Sequence, residues 1–370
     1  MTLASAGSDE TEGKSVLRLV ATEISKRSIP LSVPFRTAVR EVASVEEIRV
    51  TLISDGAIQG VGSAAPTAAI TGDTAGSIEA ALTDYLLPRL CAMELDHEHE
   101  VFREVGRALQ GNPSAKAAVD IALHDLYAKA QGQSLTAWLG GSIKPLFTDA
   151  TVSLGTVEAM TEQAERLLAQ GFSCLKVKLG GHDGRDMARL QAIRDEVGAS
   201  MVLRVDANQA WSLGEAFSYL PVMVRLGVEL VEQPLASDDL FGLGELTRQS
   251  ALLIAADEAV YGLKDLLRII QGRAADVINI KLMKSEGLYH ARTMIQVARA
   301  AGLKVMIGSM MEGMTSLTAA ACLASAYDVD FVDLDAGFFL TQAGVAGGIS
   351  YSGPRIELPR ALGLGVSYAS

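Results

Sequence analysis

Short apolar runs that end in charged residues recur through the second half of the chain. They are CLKVKLG (174–180), VLRVDAN (202–208), VELVEQP (228–234), LLIAADE (252–258) and VINIKLM (277–283). Each is rich in Val, Ile and Leu with little polar alternation, the pattern of a strand buried on both faces. The polar ends recur at a near-constant interval: Asp206 to Glu232 is 26 residues, Glu232 to Asp257 is 25, and Asp257 to Lys281 is 24. A unit of that size holds a strand of about six residues, a helix of about twelve and two short loops. TDATVSL (148–154), KVMIGSM (304–310) and FVDLDAG (331–337) extend the series to eight strands with seven helical segments between them. Eight such units predict a closed (β/α)8 barrel whose polar residues gather at the C-terminal strand ends, where barrel active sites lie.

The flanking segments carry other periods. VLRLVATEISKRSIPL (16–31) and VEEIRVTLIS (45–54) have strand character, and Asp55-Gly56 marks a hairpin into AIQGVGSAA (57–65). SVPFRTAVREVAS (32–44) reads as a polar, less regular loop. Residues 75–139 read as helices, the clearest being 115–132, which ends at Gly132. The fold class expected is therefore α/β: a modified (β/α)8 TIM barrel over residues 142–340, preceded by an α+β domain over 17–141. Residues 1–16 form a disordered polar extension. The Gly-rich segment 341–370 shows no helical period and is expected to return to the N-terminal domain.

Composition narrows the partners. With 49% hydrophobic and 21% charged residues among 370, the chain is globular. A formal net charge of −12 disfavours nucleic acid and anionic membranes. No apolar run approaches the roughly 18 residues of a spanning helix. The three cysteines, Cys91, Cys174 and Cys322, are widely spaced and form no CxxC, which fits neither a disulfide framework nor a zinc site and suits the reducing cytoplasm.

Asp206, Glu232 and Asp257 stand at the same place in three consecutive units. A single acid after a strand commonly caps the next helix. Three in succession, with no His or Cys among them, form an all-oxygen set suited to Mg2+. Lys176 and Lys178 are two apart on one strand and so share a face, about 6.6 Å apart along it. Lys281 sits across the barrel on strand six. Buried lysines need anions, and the acids supply them. A cation and a second lysine nearby would lower a lysine pKa toward neutral, making it a usable general base.

These pieces taken in order, K-V-K (176–178), D-A-N (206–208), V-E-Q-P (231–234), A-D-E (256–258) and N-I-K (279–281), resemble the enolase superfamily, muconate lactonizing enzyme subgroup. Helix 117–141 and the closing GGISYSGPRIELPRALGLGV look like that family too, so the resemblance covers about residues 17–367. It implies a capping α+β domain over a modified barrel, one Mg2+ on Asp206, Glu232 and Asp257, and Lys178 and Lys281 as an acid/base pair on opposite faces of the substrate. The metal would bind a substrate carboxylate and stabilise the enediolate left by α-proton removal. Lys176 would help hold that carboxylate.

Asp333 and Asp335 form a D-x-D on strand eight that looks like the dipeptide epimerases, where such a pair binds a free α-ammonium. PFRTAVR (34–40) and PTAAITGDT (66–74) resemble the epimerases of L-Ala-D/L-Glu, with Arg40, or Arg36 nearby, at the position that binds the glutamate side chain. Thr151 joins the candidate substrate contacts. Asn208 and Glu258 are supporting residues, Glu258 orienting Lys281 or a metal water, or capping the next helix. Met310, Met311 and Met314 could shape a pocket.

The implied activity is Mg2+-dependent epimerisation of a dipeptide by a homo-oligomer. The alternatives are N-acylamino acid racemisation, o-succinylbenzoate synthesis, cycloisomerisation, and a non-catalytic barrel that keeps its metal site. The chain departs from the pattern at Glu286, where relatives commonly have Gly, and at Ala336–Phe339.

Overall fold

Eight parallel strands follow one another around the barrel: Ala150–Val152, Cys174–Lys178, Val202–Asp206, Val228–Glu232, Leu253–Ala256, Val277–Lys281, Lys304–Gly308 and Phe331–Asp333. They are numbered one to eight below. The structure, a computed structural model, describes residues 17–38, 41–341 and 345–368. Each strand pairs with the next in sequence, and seven helices connect them, as the apolar runs predict. Helix starts follow local chemistry. Thr156 accepts the Ala159 N–H, and Ser212 and Glu215 form a reciprocal capping box. The register sets the site: Lys178 lies level with Asp206 and Asp206 with Glu232, while Lys281, Gly308 and Asp333 share a level across the barrel.

Strands eight and one share no backbone ladder among the described residues. Side chains close that seam. The Thr151 N–H donates to Asp335 Oδ2 at 2.6 Å, and the Leu334 N–H donates to Thr148 Oγ1 at 2.9 Å. Among the described residues no long helix follows strand eight; a single turn of 3-10 helix, Asp335–Phe338, leads into short strands. One of these, Arg355–Glu357, pairs with Leu146–Phe147 before the barrel. The tail also reaches the N-terminal domain, where Leu364 N–H donates to Asp125 Oδ1 at 2.7 Å and Leu31 bridges to Leu340.

The N-terminal sheet has three antiparallel strands, Leu19–Arg36, Glu41–Ser54 and Gln59–Ala64. The first corrects an expectation: residues 32–36 and 41–44, read as loop, are strand. The register slips between Pro30 and Phe35, then resumes with Phe35 buried. Proline fits there because this is an edge strand, where a missing N–H breaks no inner ladder. Arg40, like the extension 1–16, lies outside the described residues. Helix Pro113–Ala130 lies against this sheet at backbone distance, since a Cβ on Gly62 would come within 2.0 Å of the Ala118 carbonyl. The helix ends where Gly132 takes φ +65°. No helix among the described residues is long and apolar enough to cross a membrane.

The same helix docks the cap on the barrel. Asp120 accepts the Leu288 N–H at 2.5 Å and the Tyr289 N–H at 3.2 Å, capping from outside the helix that follows strand six. Gly287 makes the approach feasible: its φ is +106°, and a Cβ there would lie 2.4 Å from Asp120 Oδ1. Beside it the buried Lys116 pairs with Glu286 at 2.9 Å, which gives the unusual glutamate a role despite its φ of +60°. Asp120→Ala orphans two amide donors at a helix start, so a loss of about 1–3 kcal/mol is expected. Urea unfolding monitored by circular dichroism measures it.

Candidate active site

The three acids at the ends of strands three, four and five converge. One carboxylate oxygen from each of Asp206, Glu232 and Asp257 lies within 4.8 Å of the others, and all three residues are buried. Local folding aims them. The Asn208 N–H donates to Asp206 Oδ1 at 2.9 Å, and Asn279 Nδ2 donates to Glu232 Oε1 at 3.0 Å. Gly308 leaves room for that amide, since a Cβ there would sit 2.6 Å from Asn279 Oδ1. Gln233 Oε1 accepts the N–H groups of Asp257 and Ala259, fixing the loop after strand five.

Four buried lysines face these acids. Lys178 Nζ is 2.6 Å from Asp206 Oδ2, and Lys281 Nζ is 2.7 Å from Asp257 Oδ2. Lys176 reaches Asp333 at 2.7 Å, Glu232 at 2.8 Å and Asp206 at 3.2 Å. Lys284, which the strand pattern did not reveal, holds Asp257 Oδ1 as well as the Asp257 carbonyl at 2.5 Å and the Asn279 carbonyl at 3.2 Å. Its signal in the sequence was faint: a second lysine three residues beyond Lys281, in a turn that folds back on the strand.

Charge is unevenly shared. Burial would raise every carboxyl here, yet the lysines beside Asp206 and Asp257 hold both below the ordinary range. Glu232 goes the other way: burial and the two neighbouring aspartates outweigh Lys176 and push it up. Its Oε2, although 2.8 Å from Lys176 Nζ, accepts no hydrogen bond. Glu258 is raised by burial and by Asp257, and its Oε1 accepts from Asn208 Nδ2 at 3.2 Å. A converging all-oxygen triad with one buried carboxylate oxygen, Glu232 Oε2, left without a hydrogen bond fits a hard divalent cation.

In the chain by itself, carboxylates set the charge of the lysines. Burial disfavours the charged amine of Lys281, but Asp257 more than offsets it and its pKa lies above the ordinary value. Lys176 is raised likewise by Asp333 and Glu232. The lowering expected from the sequence counted on a cation's field, whereas this chain's carboxylates pull in the opposite direction.

A cavity opens above the acids. Lys178 and Lys281 line it from strands two and six, opposite staves of the ring. Thr151, Asp333, Asp335, Met310 and Met311 also line it, and Phe35 and Ile70 come from the N-terminal domain. Asp335 does not lie on strand eight as expected, because the strand stops at Asp333 and Asp335 opens the 3-10 turn. The pair nevertheless shares the cavity. Burial and Asp333 raise the Asp335 pKa to about 6, while Lys176 holds Asp333 below its ordinary value against burial. Arg36, the alternative to Arg40, is exposed and pairs with Glu41 at 2.9 Å, away from the cavity lining.

Residues 159–369 match the family described as Enolase C-terminal domain-like, and residues 20–140 match the Mandelate racemase / muconate lactonizing enzyme, N-terminal domain. The L-Ala-D/L-Glu epimerase of Bacillus subtilis is 41% identical over 95% of this chain and 97% of its own length. The structure of a substrate-liganded complex of that enzyme superposes with a TM-score of 0.93, covering 95% of this chain and 99% of the other. A dipeptide epimerase from Enterococcus faecalis, complexed with Mg and the dipeptide L-Leu-L-Tyr, superposes with a TM-score of 0.91 at 33% identity, covering 95% of this chain and all of the other.

Proposed function

The chain belongs to the mandelate racemase / muconate lactonizing enzyme family, and from that premise we propose that it is an isomerase that epimerises a dipeptide, of the L-Ala-L-Glu to L-Ala-D-Glu type. The observation that carries the reading is the placement of Lys178 and Lys281 on opposite staves of one cavity, with the acid triad between them. One amine in its neutral form removes the α-proton of the C-terminal residue. The other, protonated, returns a proton to the opposite face, so each turnover inverts that carbon and exchanges the protonation states of the two lysines. Asp206, Glu232 and Asp257 would hold Mg2+, which supplies Lewis-acid stabilisation of charge developing on the substrate carboxylate. Lys176, ion-paired with Asp206 and Glu232, would steady the same carboxylate.

Asp333 and Asp335 would bind the free α-ammonium at the far end, with the Thr151 N–H fixing one Asp335 oxygen. Arg40 would take the glutamate side chain. Asn208 and Glu258 support the triad from the side. The acidic pair weighs against N-acylamino acid racemisation and against cycloisomerisation, whose substrates present no ammonium there.

Proton NMR in D2O with Mg2+ tests the proposal. L-Ala-L-Glu should lose its glutamate α-proton signal as deuterated L-Ala-D-Glu appears, while the N-acetylated dipeptide should react far more slowly. Failure to exchange across a broad dipeptide panel, or preference for the acylated form, would contradict it.

A further inference from the structure

Ile70 lines the substrate cavity together with Asp257, Glu258 and Lys281, although it comes from the capping domain. It sits in a turn whose other hydrogen bonds stay within that domain. Ile70 and Thr71 each donate their N–H to the Thr67 carbonyl at 2.9 Å, and Asp73 accepts the Ser114 N–H at 2.9 Å. The bond that crosses to the barrel runs from the Tyr261 hydroxyl to the Ile70 carbonyl.

Tyr261 is itself held. Its N–H donates to Asp265 Oδ2 at 3.1 Å, and the Val260 N–H donates to the Asp257 carbonyl at 3.1 Å, so the loop from Asp257 to Tyr261 is braced at both ends. Lys284 Nζ lies 5.7 Å from the ring centroid, and the same amine grips the carboxylate and carbonyl of Asp257. One barrel loop therefore carries a triad acid at its start and a tether for the capping turn at its end.

We propose that Tyr261 is a positioning residue that fastens the Ile70 turn over the cavity, so that the loop aiming Asp257 also fixes where the capping domain meets the substrate. The inference rests on the dipeptide reading for its kinetic half only. The hydroxyl's hydrogen bond goes to the Ile70 carbonyl and not to an acid or to Lys178 or Lys281, so its effect should fall chiefly on substrate binding and not on proton transfer. Among the described residues no other hydrogen bond joins this turn to the barrel, so loss of this one should let it open.

Tyr261→Phe removes the hydroxyl and keeps the ring over Lys284. In the Mg2+-loaded enzyme, KM for L-Ala-L-Glu should rise about 3- to 10-fold, the effect of one neutral hydrogen bond, with kcat within about twofold. Hydrogen–deuterium exchange at amides 68–73 should quicken while the barrel strands keep their protection. In an Ile70→Ala background the same substitution should add little further to KM, because the tether acts through that turn. Unchanged KM and unchanged exchange in Tyr261→Phe would overturn the proposal, as would a fall in kcat with KM intact. Absence of epimerisation by the wild-type protein would sink the functional reading, while the exchange measurement would still decide the tether.

Discussion

Lys281→Met and Lys178→Met should each lose epimerisation by about 10³-fold or more, yet each should still exchange the α-proton of one epimer with solvent. A positioned acid or base contributes about 10²- to 10⁴-fold, and inversion needs both. With one amine gone, the other still reaches its own face, so exchange continues there without inversion. The fold should tolerate both changes. Asp206 keeps Lys176 at 3.2 Å when Lys178 is removed, and Asp257 keeps Lys284 when Lys281 is removed. Methionine preserves the apolar stem, so neither variant opens a large cavity. Measuring inversion by polarimetry and exchange by NMR on each pure epimer separates the two steps. Substantial inversion by either variant would end the two-base account.

Chelation is the second large effect. Dialysis against EDTA should cut turnover by at least about 10³-fold, and Mg2+ should restore it, because removing a charge-stabilising group from a buried site costs several kcal/mol of transition-state energy. Melting temperature reports the ion without relying on activity. A ligand that binds only the folded chain stabilises it by about 2.7 kcal/mol at a hundred times its Kd. Wild-type protein should therefore melt higher in Mg2+, and Glu232→Gln should not. The substitution should not weaken the metal-free protein, because burial and neighbouring aspartates already disfavour the Glu232 charge, and the new amide oxygen can still accept from Asn279. A melting point of Glu232→Gln that responds to Mg2+ as the wild type does would remove Glu232 from the ligand set.

The barrel was legible because its strands are buried on both faces and so read as unbroken apolar runs, each closed by the polar residue that faces the mouth. Asp206, Glu232 and Asp257 stood out by interval alone. Other parts of the site were hidden for definable reasons. Lys284 lies in a turn where the Lys284 and Ser285 N–H groups fold back onto the Lys281 carbonyl, so the strand period could not place it inward. Asp335 reached the expected cavity by a different route, a 3-10 turn in place of a continued strand. Gln233 and Tyr261 act through loop contacts that no periodicity encodes. Residues 32–36 read as loop because they are polar and irregular, yet they continue an edge strand, where Pro34 breaks no inner ladder.

The most direct measurement is a crystal structure of the protein with Mg2+ and L-Ala-L-Glu. It should show the ion touching one oxygen from each of Asp206, Glu232 and Asp257, the glutamate α-carbon between the Lys178 and Lys281 amines, and the ammonium on Asp333 and Asp335. An ion held elsewhere, or both amines on the same face of that carbon, would contradict the account.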